Sequence, residues 1–226
     1  MSMLPFRDRA VAGRALGAEL AKRAPEAPVV YALPRGGVPV AVEVAAALSA
    51  PLDLLLVRKI GVPGHEEWAA GSVVDGERPD IVLNPDVTKA VGLSQADIAQ
   101  AAGRQLREIE RRRAIYAPGR SPVSAKGKTA ILVDDGVATG ASMRAAITAV
   151  RRRGPKRVVV AVPVASPDTA TELSALADEI VVLAAPANFR AVGLYYQDFH
   201  QLEDEEVVHL LTAKGDATRA RAGGGQ

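Results

Sequence analysis

Short runs of valine, isoleucine and leucine recur along this chain between stretches of helical periodicity, and that alternation leaves few folds open. Residues 29–33, 53–59, 80–84, 128–134, 157–162 and 179–183 read as strands. Such runs are too short for helices and suit strands buried on both faces. Helices are expected over 7–22, 38–49, 94–116, 140–153 and 167–177, with a capping box at Ser94 to Asp97 and a start at Ser166-Pro167. Strand and helix in strict turn build an α/β domain around a parallel sheet. Residues 60–80 read as a longer, less regular stretch, and 117–127 as a Pro/Gly/Ser-rich loop.

With 226 residues, 48% of them hydrophobic, the chain can bury one full core. One domain over residues 1–215 is therefore expected, followed by a Gly/Ala/Arg-rich, disordered tail at 216–226. The absence of cysteine excludes a disulfide framework, a thiolate metal site and a cysteine nucleophile. Residues 1–7 lack the apolar centre of a signal peptide, and no segment reaches the roughly 20 apolar residues of a membrane span. A cytoplasmic protein without a membrane partner is expected. The formal charge of +2 gives no bulk electrostatic reason for nucleic-acid binding.

The most informative stretch follows the apolar run Ala130-Ile131-Leu132-Val133. Asp134 and Asp135 come at once, then Gly136-Val137-Ala138-Thr139-Gly140-Ala141-Ser142 and a helix. Backbone N–H groups converging at such a helix start form an anion nest, to which Thr139 and Ser142 can add hydroxyl donors. Gly140 lets the main chain come close. The acids cannot favour a phosphate and should face sugar hydroxyls, with a hydrated Mg²⁺ nearby. The plainer alternative is an acidic turn opening an ordinary helix. A second strand–turn–helix, Val29 to Leu33 followed by Pro34-Arg35-Gly36-Gly37, pairs glycines with a guanidinium suited to phosphate oxygens. The run 53–59 ends in Arg58-Lys59, and lysine is scarce here, seven against twenty-one arginines.

Residues 131–142 resemble the phosphoribosyl-pyrophosphate (PRPP) signature of type I phosphoribosyltransferases. The chain from Phe6 to about Leu211 also resembles a bacterial group of uncharacterised proteins of that family, in phrases such as Phe6-Arg7-Asp8-Arg9, Leu33 to Val40, Val57-Arg58-Lys59 and Tyr196-Gln197-Asp198-Phe199. The resemblance implies a Rossmann-like parallel-sheet core, about residues 25–184, under a C-terminal hood at about 185–211 that the N-terminal helix joins. It implies Mg-dependent transfer of a phosphoribosyl group from PRPP to a nitrogen acceptor, a nucleobase, with release of pyrophosphate. Asp134, Asp135, Arg35 and Lys59 would be catalytic. Ala138, Thr139, Gly140, Ala141 and Ser142 would hold the 5′-phosphate, and Arg35, Gly36, Gly37, Arg58 and Lys59 the pyrophosphate. Mg²⁺ would arrive with PRPP near Asp134 and Asp135. Gly136 departs from the family pattern, which has a larger aliphatic residue, and is read as loosening the loop. Ala138 stands where 6-oxopurine enzymes carry an aspartate, which lowers the hypoxanthine/guanine reading. A homodimer is a common habit of the family.

Acceptor recognition is less defined. The family keeps a mobile lid at residues 61–71, which here carries His65, Glu66, Glu67 and Trp68. Trp68 reads either as an acceptor contact or as a packed anchor. Tyr195, Tyr196, Asp198 and Phe199, with Gln201, read either as a shelf that stacks and edges a base or as a satellite core beneath the hood. The rival function is a non-catalytic regulator that senses PRPP or a nucleotide and binds RNA or a protein. Its support is the arginine-rich run 104–113, in which Glu108 and Glu110 argue instead for a salt-bridged face.

Overall fold

A computed structural model describes residues 4–62, 65–76 and 79–223. Five strands form one parallel sheet: β1 (Pro28–Ala32), β2 (Leu52–Leu54), β6 (Thr129–Val133), β7 (Arg157–Val164) and β8 (Glu179–Ala184), in the order β2-β1-β6-β7-β8. Every residue of β6 is buried, as its unbroken apolar run requires. Helices α1 (Arg9–Ala21), α2 (Gly37–Ala47), α4 (Gln95–Tyr116) and α7 (Asp204–Gly223) bury their apolar stripes in one core cluster. Helices α5 (Ala141–Arg152) and α6 (Pro167–Ser174) pack into a second cluster, shared with the alternate side chains of the strands. The α/β fold with a central parallel sheet is thus as expected, and α4 starts on the expected Ser94–Asp97 capping box.

The expected strand over 53–59 is two strands in different sheets. β2 ends at Leu54, and β3 (Val57–Val62) starts a separate antiparallel sheet with β4 (His65–Val74) and β5 (Asp80–Leu83). Leu54, Leu55 and Leu56 are all buried, so hydrophobicity runs unbroken through the change of sheet. The break is polar and nonlocal. The Asp75 carboxylate accepts the Leu56 N–H at 2.7 Å, and Arg113 of α4 reaches Asp53 at 2.8 Å and Asp75 at 2.5 Å.

The lid expected as an irregular loop at 61–71 is likewise mostly strand, because β4 pairs along β3 with register shifts at Ile60, Gly61 and Val62. Those shifts break the alternation that would have marked a hairpin. Pro63, Gly64 and the side chains of Glu66 and Glu67 lie outside the described residues. A short helix, α3 (Pro85–Val91), adds an element that was not expected; it opens on Pro85 after Asn84, and left-handed Gly92 ends it. α7 continues to Gly223, past residue 215 where a tail was expected, since alanine and arginine are good helix formers; residues 224–226 lie outside the described residues.

The segment before α1 and the segment after β8 are woven together. Phe6 forms a bridge with Tyr196, and Gln197 and Asp198 donate their N–H groups to the carbonyls of Phe6 and Arg7 at 2.8 and 2.9 Å. A 3-10 helix, Val192–Tyr195, lies between β8 and α7. Among the described residues no helix is long and apolar enough to cross a membrane.

Candidate active site at the ends of β1 and β6

The chain leaves β1 for β2 on one side and leaves β6 for β7 and β8 on the other, so the order in which strands are added reverses between β1 and β6. A crevice at the carboxyl ends of strands opens at such a switch point. Both glycine-bearing turns stand there. Pro34 to Gly36 links β1 to α2 through a cis Pro34–Arg35 peptide, and Asp134 to Gly140 links β6 to α5. They touch: a Cβ on Gly36 would lie 2.2 Å from Asp135 Oδ2, and one on Gly37 2.6 Å from the Val133 carbonyl oxygen. The paired glycines are therefore a packing requirement between the two turns.

Asp134 and Asp135 are held differently. Asp134 Oδ1 accepts the N–H of Asp135 at 2.8 Å. Desolvation first, and the charge of Asp135 second, push its carboxyl well above the ordinary carboxylate range. Asp135 is also pushed up by burial, opposed by Arg9, whose Nε donates to Oδ2 at 2.8 Å. The Tyr196 hydroxyl donates to the Asp135 carbonyl at 2.5 Å.

Gly140 takes a left-handed conformation, φ 71°, and caps α5 with no side-chain hydrogen bond, so the N–H groups of the first turn stay open to a ligand. Thr139, Ala141 and Ser142 are exposed at this mouth. The Ala138 carbonyl faces the other way and accepts from Thr169 and Ser166 of the α6 start at 2.6 and 3.1 Å. Gly136 does not loosen the turn, as its sequence reading held. A Cβ there would lie 2.5 Å from Val192 of the 3-10 helix and 2.9 Å from Val164. The small residue admits the hood.

Arg35 points from the β1 turn toward the start of α7, with Nη1 at 3.7 Å from both Glu203 and Asp204. Arg58 is committed elsewhere, at 3.3 Å from Glu108 of α4. Lys59 is exposed on β3, paired across to Ser72. A cleft of about 320 Å³ is lined by Arg9, Arg35, Gly36, Asp135, Phe199 and residues 200–202.

The aromatic candidates divide. Tyr196 is buried, stacked on Phe199 at 5.0 Å and tilted against Phe6 at 5.6 Å, while the Arg9 guanidinium covers Phe199 at 3.9 Å. These rings form the satellite core of the two open readings, with Val164 at its base. Tyr195 stacks on Phe189, and Asp198 holds His200 Nδ1 at 3.0 Å. Trp68, 54% exposed, stacks on His65 and is no packed anchor. Sequence reasoning missed Arg9 as a site residue. Between Asp8 and Ala10 at a helix start it looks like any solvated arginine, and only the shared phrase from Phe6 to Arg9 drew the segment out.

Fold and site together define a class: α/β proteins whose crevice lies at the switch point of a parallel sheet, between a glycine turn and an acidic turn. Within that class the chain belongs to the phosphoribosyl transferase domain family, whose profile matches residues 12–198. It is 46% identical over 206 residues to a Mycobacterium tuberculosis protein, in strains H37Rv and CDC 1551, provisionally described as a phosphoribosyl transferase. The match covers 91% of this chain and 46% of the relative, so the chain spans about half the relative's length. It is also similar to the crystal structure of TT1426 from Thermus thermophilus, at 48% identity and a TM-score of 0.81, covering 92% of this chain and 98% of that one.

Proposed function

We propose that the protein transfers the 5-phosphoribosyl group of Mg²⁺·PRPP to a nitrogen acceptor, such as a nucleobase, and releases pyrophosphate. The observation that carries this is the contact of Gly36 and Gly37 with Asp135 and Val133, which joins a guanidinium-bearing turn to an acid pair at the switch point. In this reading Asp134 and Asp135 accept hydrogen bonds from the ribose hydroxyls. The open turn at 138–142 receives the 5′-phosphate, and Arg35 exchanges its loose 3.7 Å ion pairs for the pyrophosphate. Lys59, carried by the small sheet, would answer the same group. Arg58 drops out of the pyrophosphate set because Glu108 already holds it. As the C1–O bond stretches, cationic charge on the ribose is met by the acid pair and anionic charge on the leaving group by Arg35 and Lys59.

The residues present suit Mg²⁺ carried by the substrate. Among the described residues no three metal-ligating side chains cluster, and a cation that keeps its waters and binds through phosphates and one or two carboxylates needs no more. Asp134 and Asp135 would face it, and it would neutralise charge on the departing pyrophosphate. Incubation with Mg²⁺, PRPP and a panel of nucleobases and small amines should release pyrophosphate with one acceptor. Asp134→Asn combined with Asp135→Asn should abolish release in a protein that still melts cooperatively; turnover that survives this pair would refute the assignment.

A further inference from the structure

Arg9 ties three parts of the molecule to one carboxylate. It stands in the first turn of α1, is 8% exposed, and places its guanidinium over the Phe199 ring. Its Nε donates to Asp135 Oδ2 at 2.8 Å and its Nη1 to the His200 carbonyl at 3.0 Å. Tyr196, which also stacks on Phe199, donates to the Asp135 carbonyl. Both the backbone and the side chain of Asp135 are therefore held by the hood and the N-terminal segment. Gly36 packs against the same carboxylate, leaving no room there for a Cβ. Arg9 and Gly36 both meet Oδ2, so the carboxylate is confined where the two turns touch.

We propose that Arg9 is a positioning residue of the PRPP site, holding the Asp135 carboxylate through Oδ2 in the place where it meets a ribose hydroxyl. This rests on the reading in the preceding section. A guanidinium suits the task better than an ammonium, because two donors in a fixed plane fix the carboxylate and the hood carbonyl together. The arrangement makes ribose binding depend on a docked N-terminal segment, while the pyrophosphate side of the cleft, through Arg35, does not pass through Arg9.

The test is calorimetry of the full chain with Mg²⁺·PRPP and, separately, with Mg²⁺·pyrophosphate. Wild type, Arg9→Gln, Arg9→Lys and the exposed control Arg7→Gln are compared, each with a melting curve. Arg9→Gln is expected to weaken PRPP binding about tenfold, equivalent to about 1.4 kcal/mol, at unchanged stoichiometry. Pyrophosphate affinity should stay within about twofold, Arg9→Lys should recover part of the loss, and Arg7→Gln should match wild type. A merely structural arginine would lower the binding-competent fraction and leave Kd alone; that result overturns the proposal. Equal weakening of both ligands also overturns it, because Arg9 would then touch the leaving group directly. If Arg9→Gln does not fold, Arg9→Lys carries the same comparison, a roughly threefold loss for PRPP only being the supporting result. A wild type that binds pyrophosphate but no PRPP would remove the functional reading itself.

Discussion

Asp134 is a residue at which function and stability should part. Its folded carboxyl titrates above its unfolded value, so the fold favours the protonated form. The stability this brings is full below the unfolded carboxylate range, near pH 4, and is lost as pH rises through the elevated folded value. At neutral pH the unfolded chain ionises this carboxyl freely while the fold resists it, so the acid is a load on the fold. Asp134→Asn keeps an oxygen for the Asp135 N–H and removes the charge. It should raise Tm at pH 7, by about 2–4 °C per kcal/mol relieved, while abolishing PRPP binding, and the gain should shrink in melts at pH 4.5. A lower Tm at pH 7 would contradict the argument. Gly136 makes the opposite prediction. Gly136→Leu restores the residue size of the family pattern but drives it into Val192 and Val164, costing about 1–3 kcal/mol as overpacking. Denaturant melts should show that loss, and Val192→Ala in the same chain should return part of it. At this scale the acid pair and the glycine turns were legible because their chemistry is local. Arg9 and the purpose of Gly136 were not, since each is defined by a partner more than fifty residues away.

Among the elements, α4 shows how an arginine-rich run divides its work. Glu108 accepts from Arg111 and Arg112 at 2.8 and 2.7 Å, and those bonds pull its carboxyl down to about 2. Most of this cluster is at the surface, so Arg111→Ala should leave stability nearly unchanged. Arg113 lies deeper and answers the two buried carboxylates that join the sheets, with desolvation pushing Asp75 up. Arg113→Met strands both and should cost about 3–5 kcal/mol; urea unfolding of the two variants side by side checks the contrast. The interleaved acids foretold a salt-bridged face rather than an RNA-binding one, and Glu108 behaves so. The main-sheet strands were legible because each is an uninterrupted apolar run. β3 and β4 were not, because their pairing carries register shifts and their polar junction depends on Arg113, far along the chain.

For the molecule as a whole, the hood is fastened by charges that titrate. His200 lies 3.0 Å from Asp198 and 3.0 Å from Glu206, and the two side-chain hydrogen bonds raise its pKa. Asp198 is lowered chiefly by its bond to His200, and Glu206 by the Glu203 N–H and then by His200. A raised histidine contributes fully below about pH 6.5 and loses that contribution as pH climbs through its folded value; the lowered acids lose theirs as pH falls through their own. The fastening is thus complete between those limits. Hydrogen exchange at residues 198–206, corrected for intrinsic rate, should quicken as pH rises above neutral, and His200→Gln should remove that dependence. The hood's aromatics were noticed in the sequence, yet whether they face a ligand or one another is a matter of packing that composition does not carry. One contact has a bearing on ancestry. Because Val192 rests in the space Gly136 leaves, the segment after β8 and the turn after β6 are fitted to each other. A chimera that grafts a foreign hood onto this core would need a matching residue at position 136, and exchanges between relatives should move the two as a single heritable unit.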